Sequence, residues 1–294
     1  MLRHLAVPTI VLAASMFSLP VMAQNAPPEE GGAGHVDGWY REVPAPPKDP
    51  KPAPAPRHDL SGIWEPAAGW RDGVQQYGAK EYPSDTKPEH QLPFTPLGEK
   101  TWKSHKPGFG TTEVPIALNN DPFDVCDPIG FPRIELFGFR AMQILQTEKQ
   151  VLAFYQNDRT FRSIWTDGRN FPDKNILEPR WYGYSTGKWV DDTTLVVETT
   201  GIDERNWIDN AGRPLSDELK VTETWHRVNH DIMELTLTIT DPKMYTKPWN
   251  ALNKFRMRLQ PADFDIREML CSPSEQEEYD KIVSRPAIAD SKKK

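Results

Sequence analysis

Cysteine is nearly absent from this chain: Cys126 and Cys271 are the only two in 294 residues. They stand far apart, so no closely spaced pair exists to begin a zinc site. Of the seven histidines, His226 and His230 stand four apart, but along a predicted strand and its turn, where that spacing does not set both on one helix face; no acidic loop has calcium-binding spacing. Neither a Gly-rich phosphate loop nor a dinucleotide fingerprint occurs. The sequence therefore predicts no metal site and no cofactor. Long apolar runs are missing after Ala23, so nothing later could cross a bilayer as a helix. An excess of positive charge is missing too. Lys and Arg number 35 against 42 Asp and Glu, a net charge of −7, which argues against nucleic acid or an anionic lipid surface as partner.

What is present begins at the N-terminus. Arg3 and then the apolar Leu5 to Leu19 read as a signal peptide over 1–23, cut between Ala23 and Gln24. The apolar run is too short for a typical membrane span. The expectation is a soluble mature protein, periplasmic or secreted. Only Arg3 leaves with the leader, so 34 basic residues face 42 acidic ones and the mature net charge is −8. Proline is abundant, 29 residues, and crowds into a Pro-rich tail over 24–57. Such a segment buries too little apolar surface to offset its ordering entropy and is expected to be disordered. Residues 58–294 are expected to form a single β-rich domain with a C-terminal helix and the short basic tail Lys292–Lys294. In an oxidising compartment Cys126 and Cys271 are expected to pair. Closing a loop of that length is worth roughly 5 kcal/mol in the chain-entropy picture.

The domain reads as all-β: an antiparallel barrel of meander order with long irregular loops. Strands of ordinary length separated by polar turns are predicted over Ala141–Gln146, Val151–Tyr155, Phe161–Thr166, Tyr182–Val190, Leu195–Thr199, Val221–Arg227, Asp231–Thr240, Asn253–Leu259 and Phe264–Leu270. In Met233 to Thr240 every odd position is apolar, so one face is buried. In Val221 to Arg227, Glu223 and Arg227 share a face with Val221 and Trp225, which predicts an internal ion pair or an exposed aromatic surface. The stretch from Trp70 to Val125 is rich in Pro, Gly and charge, and reads as a long excursion over one barrel end with one short helix near Thr95–Lys103. Ser274 with Glu277 predicts a capping box opening a helix to Val283.

The opening Gly62-Ile63-Trp64 resembles that of lipocalin-like (calycin) barrels. That resemblance implies an indole plugging the closed end beneath an arginine, for which Arg256 and Arg258 are the counterparts the sequence offers. A wider set of motifs runs through the chain: Asp59-Leu60-Ser61-Gly62-Ile63-Trp64, Cys126-Asp127-Pro128-Ile129-Gly130-Phe131-Pro132-Arg133, Asp167-Gly168-Arg169, Val196-Val197-Glu198-Thr199-Thr200-Gly201, and Asp241 to Trp249. Together they resemble a large family of exported, uncharacterised bacterial proteins, over nearly the whole chain beyond the Pro-rich tail. The resemblance implies export and carries no catalytic role.

For chemistry, His226, Asp167 and Tyr245 are the acid–base candidates, and Arg133, Arg169, Trp181, Lys247 and Trp249 the candidates for holding a ligand. Gly183-Tyr184-Ser185-Thr186-Gly187 matches a nucleophile-elbow pattern by letter, but the residues after Ser185 read as strand rather than helix. Ten Trp and eight Tyr, several near turns, favour an aromatic-rimmed pocket. The expected function is binding of a small, largely apolar or aromatic molecule. The alternatives are a cofactor-free isomerase, lyase or hydrolase on the same barrel, and a cell-envelope interaction protein.

Overall fold

The computed structural model describes residues 52–173 and 177–291. The leader, most of the Pro-rich tail and Lys292–Lys294 lie outside the described residues. Nine strands close into a barrel in chain order: β1 (Gly62–Pro66), β2 (Met142–Gln146), β3 (Gln150–Tyr155), β4 (Phe161–Trp165), β5 (Tyr184–Trp189), β6 (Thr194–Thr200), β7 (Lys220–Arg227), β8 (Ile232–Thr240) and β9 (Trp249–Leu259), with β1 pairing back onto β9. The period-2 patterns decide which face turns inward. Met233, Leu235, Leu237 and Ile239 of β8 are buried, as are Val221, Glu223, Trp225 and Arg227 of β7.

Two strand expectations need correction. The barrel is not purely antiparallel: β4 and β5 run parallel, joined only at Ile164↔Ser185 and Trp165↔Thr186. Residues 166–183 carry the chain back to the end where β4 began, and a parallel pair needs such a crossover. Phe264–Leu270 does not form a strand. The barrel closes through Trp64↔Leu259 and Glu65↔Arg258, which leaves no free edge to pair with. Beyond one bridge between Met269 and Asn157, that segment is irregular.

The topology sorts the connections by length. Short turns link β2–β3, β5–β6 and β7–β8 at one end; the longer links β1–β2, β6–β7 and β8–β9 gather at the other, together with the five-residue β3–β4 turn. At the short-turn end Trp64 is fully buried, and its indole N–H donates to Leu60 O at 2.9 Å. The arginine over it is Arg227, 5.1 Å from the ring, not Arg256 or Arg258. Those two alternate with the inward Phe255 and Met257, so the pleat turns them outward. Gly62 lies at φ 136°, a backbone conformation that favours glycine, and a Cβ there would have to displace the Leu259 side chain.

At the long-loop end the excursion between β1 and β2 packs down as a plug. Its helix α1 (Pro96–Ser104) starts at Thr95, whose hydroxyl accepts from Gly98 N at 2.9 Å. A second short helix, α2 (Arg133–Leu136), buries all four of its residues. Three buried carboxylates stitch the loops together. Asp209 accepts from Ala79 N and Arg213 Nη1, Asp241 from Ser216 N and Oγ, and Asp121 from Arg133. Cys126 and Cys271 form a disulfide, Cα atoms 5.5 Å apart, tying the plug to the segment after β9. The C-terminal helix starts earlier than the capping box suggested. Ser272 is the N-cap of α3 (Pro273–Tyr279), which continues through a π turn into α4 (Arg285–Ser291). Pro273 at the first helical position, with φ preset for a helix, accounts for the shift.

Gly98 presses α1 onto the β8–β9 loop: a methyl group there would meet Met244 O at 2.0 Å. Gly98→Ala is expected to cost about 1–3 kcal/mol by overpacking, read as a lowered urea midpoint at unchanged slope.

Candidate functional site

The inward alternation of β4 puts Arg162 and Ile164 inside the barrel. Arg162 is 2% exposed, so each of its five donors needs an acceptor from the protein. All five find one. Nε donates to Ser185 Oγ at 3.2 Å, Nη1 to Glu135 Oε1 at 2.9 Å and Glu223 Oε1 at 3.2 Å, and Nη2 to Thr199 Oγ1 at 3.1 Å and to Glu223 Oε2. The face of the guanidinium lies 3.8 Å from the centre of the Phe131 ring. Tyr155 OH donates to Glu135 Oε1 at 2.5 Å, and Trp225 Nε1 to Glu223 Oε1 at 2.9 Å. Strands β3 to β7 supply every hydrogen-bonding member except Glu135, which α2 carries in from the plug. The internal ion pair suggested by Glu223 is thus made, with Arg162 rather than with Arg227.

Two carboxyls share one cation here, and the charges balance only if one proton is retained. Burial first, then Glu223, pushes the Glu135 carboxyl well above the usual carboxylate range, against the pull of Arg162 and Tyr155. Glu135 Oε2 has no other hydrogen-bond partner among the described residues, as suits an acid proton directed at Glu223. Burial and then Glu135 also raise the Tyr155 hydroxyl well above its ordinary value. Burial opposes the charge on Arg162, but Glu223, Tyr155 and Glu135 outweigh it, so the guanidinium stays charged.

The cluster reaches the surface at the β4–β5 seam. Because pairing covers only two positions, the first residues of β4 and the segment before β5 stand apart. A groove of about 520 Å³ opens between them, with Arg162 and Ser185 among its lining residues. Phe161, Trp165, Trp181, Tyr182 and Tyr184 also line it. Arginines stack on three of these rings: Arg169 on Trp165 at 3.3 Å, Arg205 on Trp181 at 4.8 Å and Arg180 on Tyr184 at 5.8 Å. Phe161 stays 55% exposed, an aromatic left uncovered by the fold.

The residues singled out in the sequence scatter across the molecule. Trp181 lines the seam groove, and Arg169 stacks beside it. Asp167 is held by Arg169 in the turn after β4, and that hydrogen bond draws its pKa down. His226 lies on the outward face of β7 opposite Thr194 and Glu234. Tyr245 is buried; its hydroxyl donates to Pro214 O at 2.8 Å, and burial raises its pKa well above the ordinary value. Trp249 packs edge-on against Tyr82 and Tyr245. Arg133 is consumed by Asp121 and Asn210, with Phe123, Phe137 and Trp207 around its guanidinium. Lys247 sits on the exposed β8–β9 loop. His226, Asp167 and Tyr245 therefore do not converge. Ser185 is buried within β5, with no helix after it, so it forms no nucleophile elbow. Glu135, Arg162 and Thr199 escaped the sequence reading. One signal was available for Arg162, an arginine in register with Ile164 on an inward face.

Comparison with protein-family models, with curated proteins and with solved structures finds no match to this chain.

Breaking the cluster should be expensive. Arg162→Met strands two buried carboxyls and is expected to cost about 3–5 kcal/mol in chemical denaturation. Glu135→Gln keeps the shape and offers Glu223 an amide donor. A raised folded-state pKa contributes stability that is full below the unfolded value of 4.5 and is lost as pH climbs toward the folded value. The melting temperature of Glu135→Gln should therefore gain on that of the wild type as pH rises from 4.5 upward. A constant difference across that range would show that Glu135 is ionised in the folded protein.

Proposed function

We propose that this is an exported small-molecule-binding protein whose ligand, largely apolar and aromatic, lies in the β4–β5 seam groove. The carrying observation is the groove itself. Five aromatic side chains converge on a concavity of about 520 Å³, within the size range of small-molecule sites. Stacked arginines and tight turns hold the rings in place, so little side-chain entropy is left to lose on binding. The barrel interior offers a ligand far less. Trp64, Trp225, Phe131, Met142 and Ile144 are among the fully buried side chains that pack it, and the charge cluster occupies its middle.

Export draws support from the apolar leader and from the Cys126–Cys271 disulfide, which suits an oxidising compartment. Likeness to lipocalin-like barrels draws support from Gly62-Ile63-Trp64 and from Arg227 above the indole. Within that likeness, binding has moved from the barrel interior to its flank. The acid–base alternative loses its footing because its three named groups lie on different faces.

The probe is 1-naphthol, titrated by fluorescence against the mature chain. Trp181→Ala and Phe161→Ser should each weaken binding about threefold to tenfold, the loss expected of one stacking partner. His226→Ala should leave it unchanged. Equal affinity in all four proteins would remove the groove from consideration.

A further inference from the structure

A second concavity, at the short-turn end, is unrelated to the seam groove. Its volume is about 960 Å³, and Ile63, Leu145, Leu259 and Pro261 form apolar walls. Leu145 is an outward residue of β2 that remains 46% exposed within it. Gln260, just after β9, also lines this space. Its side chain is 6% exposed, yet its amide nitrogen has no hydrogen-bond partner among the described residues. A donor buried without an acceptor costs free energy, and an acceptor from a bound molecule would remove that cost.

The other polar groups around the concavity are mostly engaged. Arg227 donates to the carbonyls of His230 and Asp59. Asp231 is held by His230 Nδ1 at 2.6 Å, and Asp59 accepts from Ser61 N at 2.7 Å. Arg258 differs. It is half-buried, burial lowers its pKa, and Glu65, opposite it across the β1–β9 pair, is the acid that pulls the other way. An unmet amide donor and a half-buried guanidinium therefore line the same concavity as an apolar wall.

We infer that this concavity binds a single-chain aliphatic carboxylate, its head group accepting from Gln260 Nε2 and Arg258 and its chain lying against Leu145, Leu259 and Ile63. An aliphatic chain suits walls that carry no Phe, Tyr or Trp. A carboxylate suits two donors better than a hydroxyl does, because charge-assisted hydrogen bonds are the stronger ones.

The test is calorimetric titration of the mature protein with dodecanoate, and with dodecyltrimethylammonium as the cationic counterpart. Dodecanoate should bind and the ammonium should bind at least tenfold more weakly. Leu145→Asp, at an exposed position that tolerates the change, should reduce dodecanoate affinity at least tenfold. Gln260→Met, which keeps the volume and removes the donor, should reduce it about tenfold. Trp181→Ala, in the seam groove, should change it by less than twofold. No dodecanoate binding at millimolar concentration, equal binding of the ammonium, or wild-type affinity in both Leu145→Asp and Gln260→Met would each overturn the assignment. A loss on Trp181→Ala that matched that on Leu145→Asp would place the chain in the seam and overturn it as well.

Discussion

A guanidinium cannot leave water unless its donors are met, and inside this barrel Arg162 has all five of them met by four side chains from four different segments. Four of the five acceptor atoms come from strands β5, β6 and β7, and one from α2 of the plug. Satisfying them fixes how far α2 descends into the barrel mouth, because Glu135 must reach both Arg162 and Tyr155. It also fixes the protonation of the cluster, since one cation cannot neutralise two ionised carboxyls in a low-dielectric interior. Plug, strand register and proton are thus settled together by one side chain.

That arrangement leaves the barrel interior filled. A barrel with an empty interior would hold its ligand within; here aromatic residues, the plug and the charge cluster occupy the same volume. Concave surface appears instead where the sheet pairs least well. The β4–β5 junction is the one parallel contact in the barrel and covers only two residue pairs. The second concavity forms where β1 and β9 close the barrel and the chain leaves Leu259 for its irregular passage to α3. Both concavities lie beside short strand pairings, two residue pairs at β4–β5 and three at β1–β9.

Much of the fold was legible from short-range pattern. Alternation in Met233 to Thr240 marked one buried face of β8, and the same periodicity in Val221 to Arg227 left Glu223 either in an internal ion pair or on an exposed aromatic surface, of which the structure shows the first. The paired cysteines were legible from composition, and a short helix was expected near Thr95–Lys103. The parallel step was not legible, because the residues of 166–183 do not state at which end of the barrel they return. Phe264–Leu270 has strand composition but no edge to join, and an occupied edge is a property of the closed sheet, not of the segment. Of the seam groove, only Trp181 and the neighbouring Arg169 were legible as site residues. Tyr245, Arg133 and Trp249 carry functional chemistry by residue type, yet tertiary contacts spend it on Pro214, on Asp121 with Asn210, and on aromatic packing.

The sequence by itself determined the β class, the alternation of faces along the longer strands and the pairing of its only two cysteines. These rest on residue period, composition and the absence of alternative partners, all of which act over a few positions or over the whole chain at once. Only the tertiary structure decided the closure of β1 on β9, the parallel step, the partner of Glu223 and the location of concave surface. Each of these depends on which distant segments come into contact. A buried charge takes whichever counter-charge packing brings within reach, and in this protein packing brings Arg162 rather than Arg227.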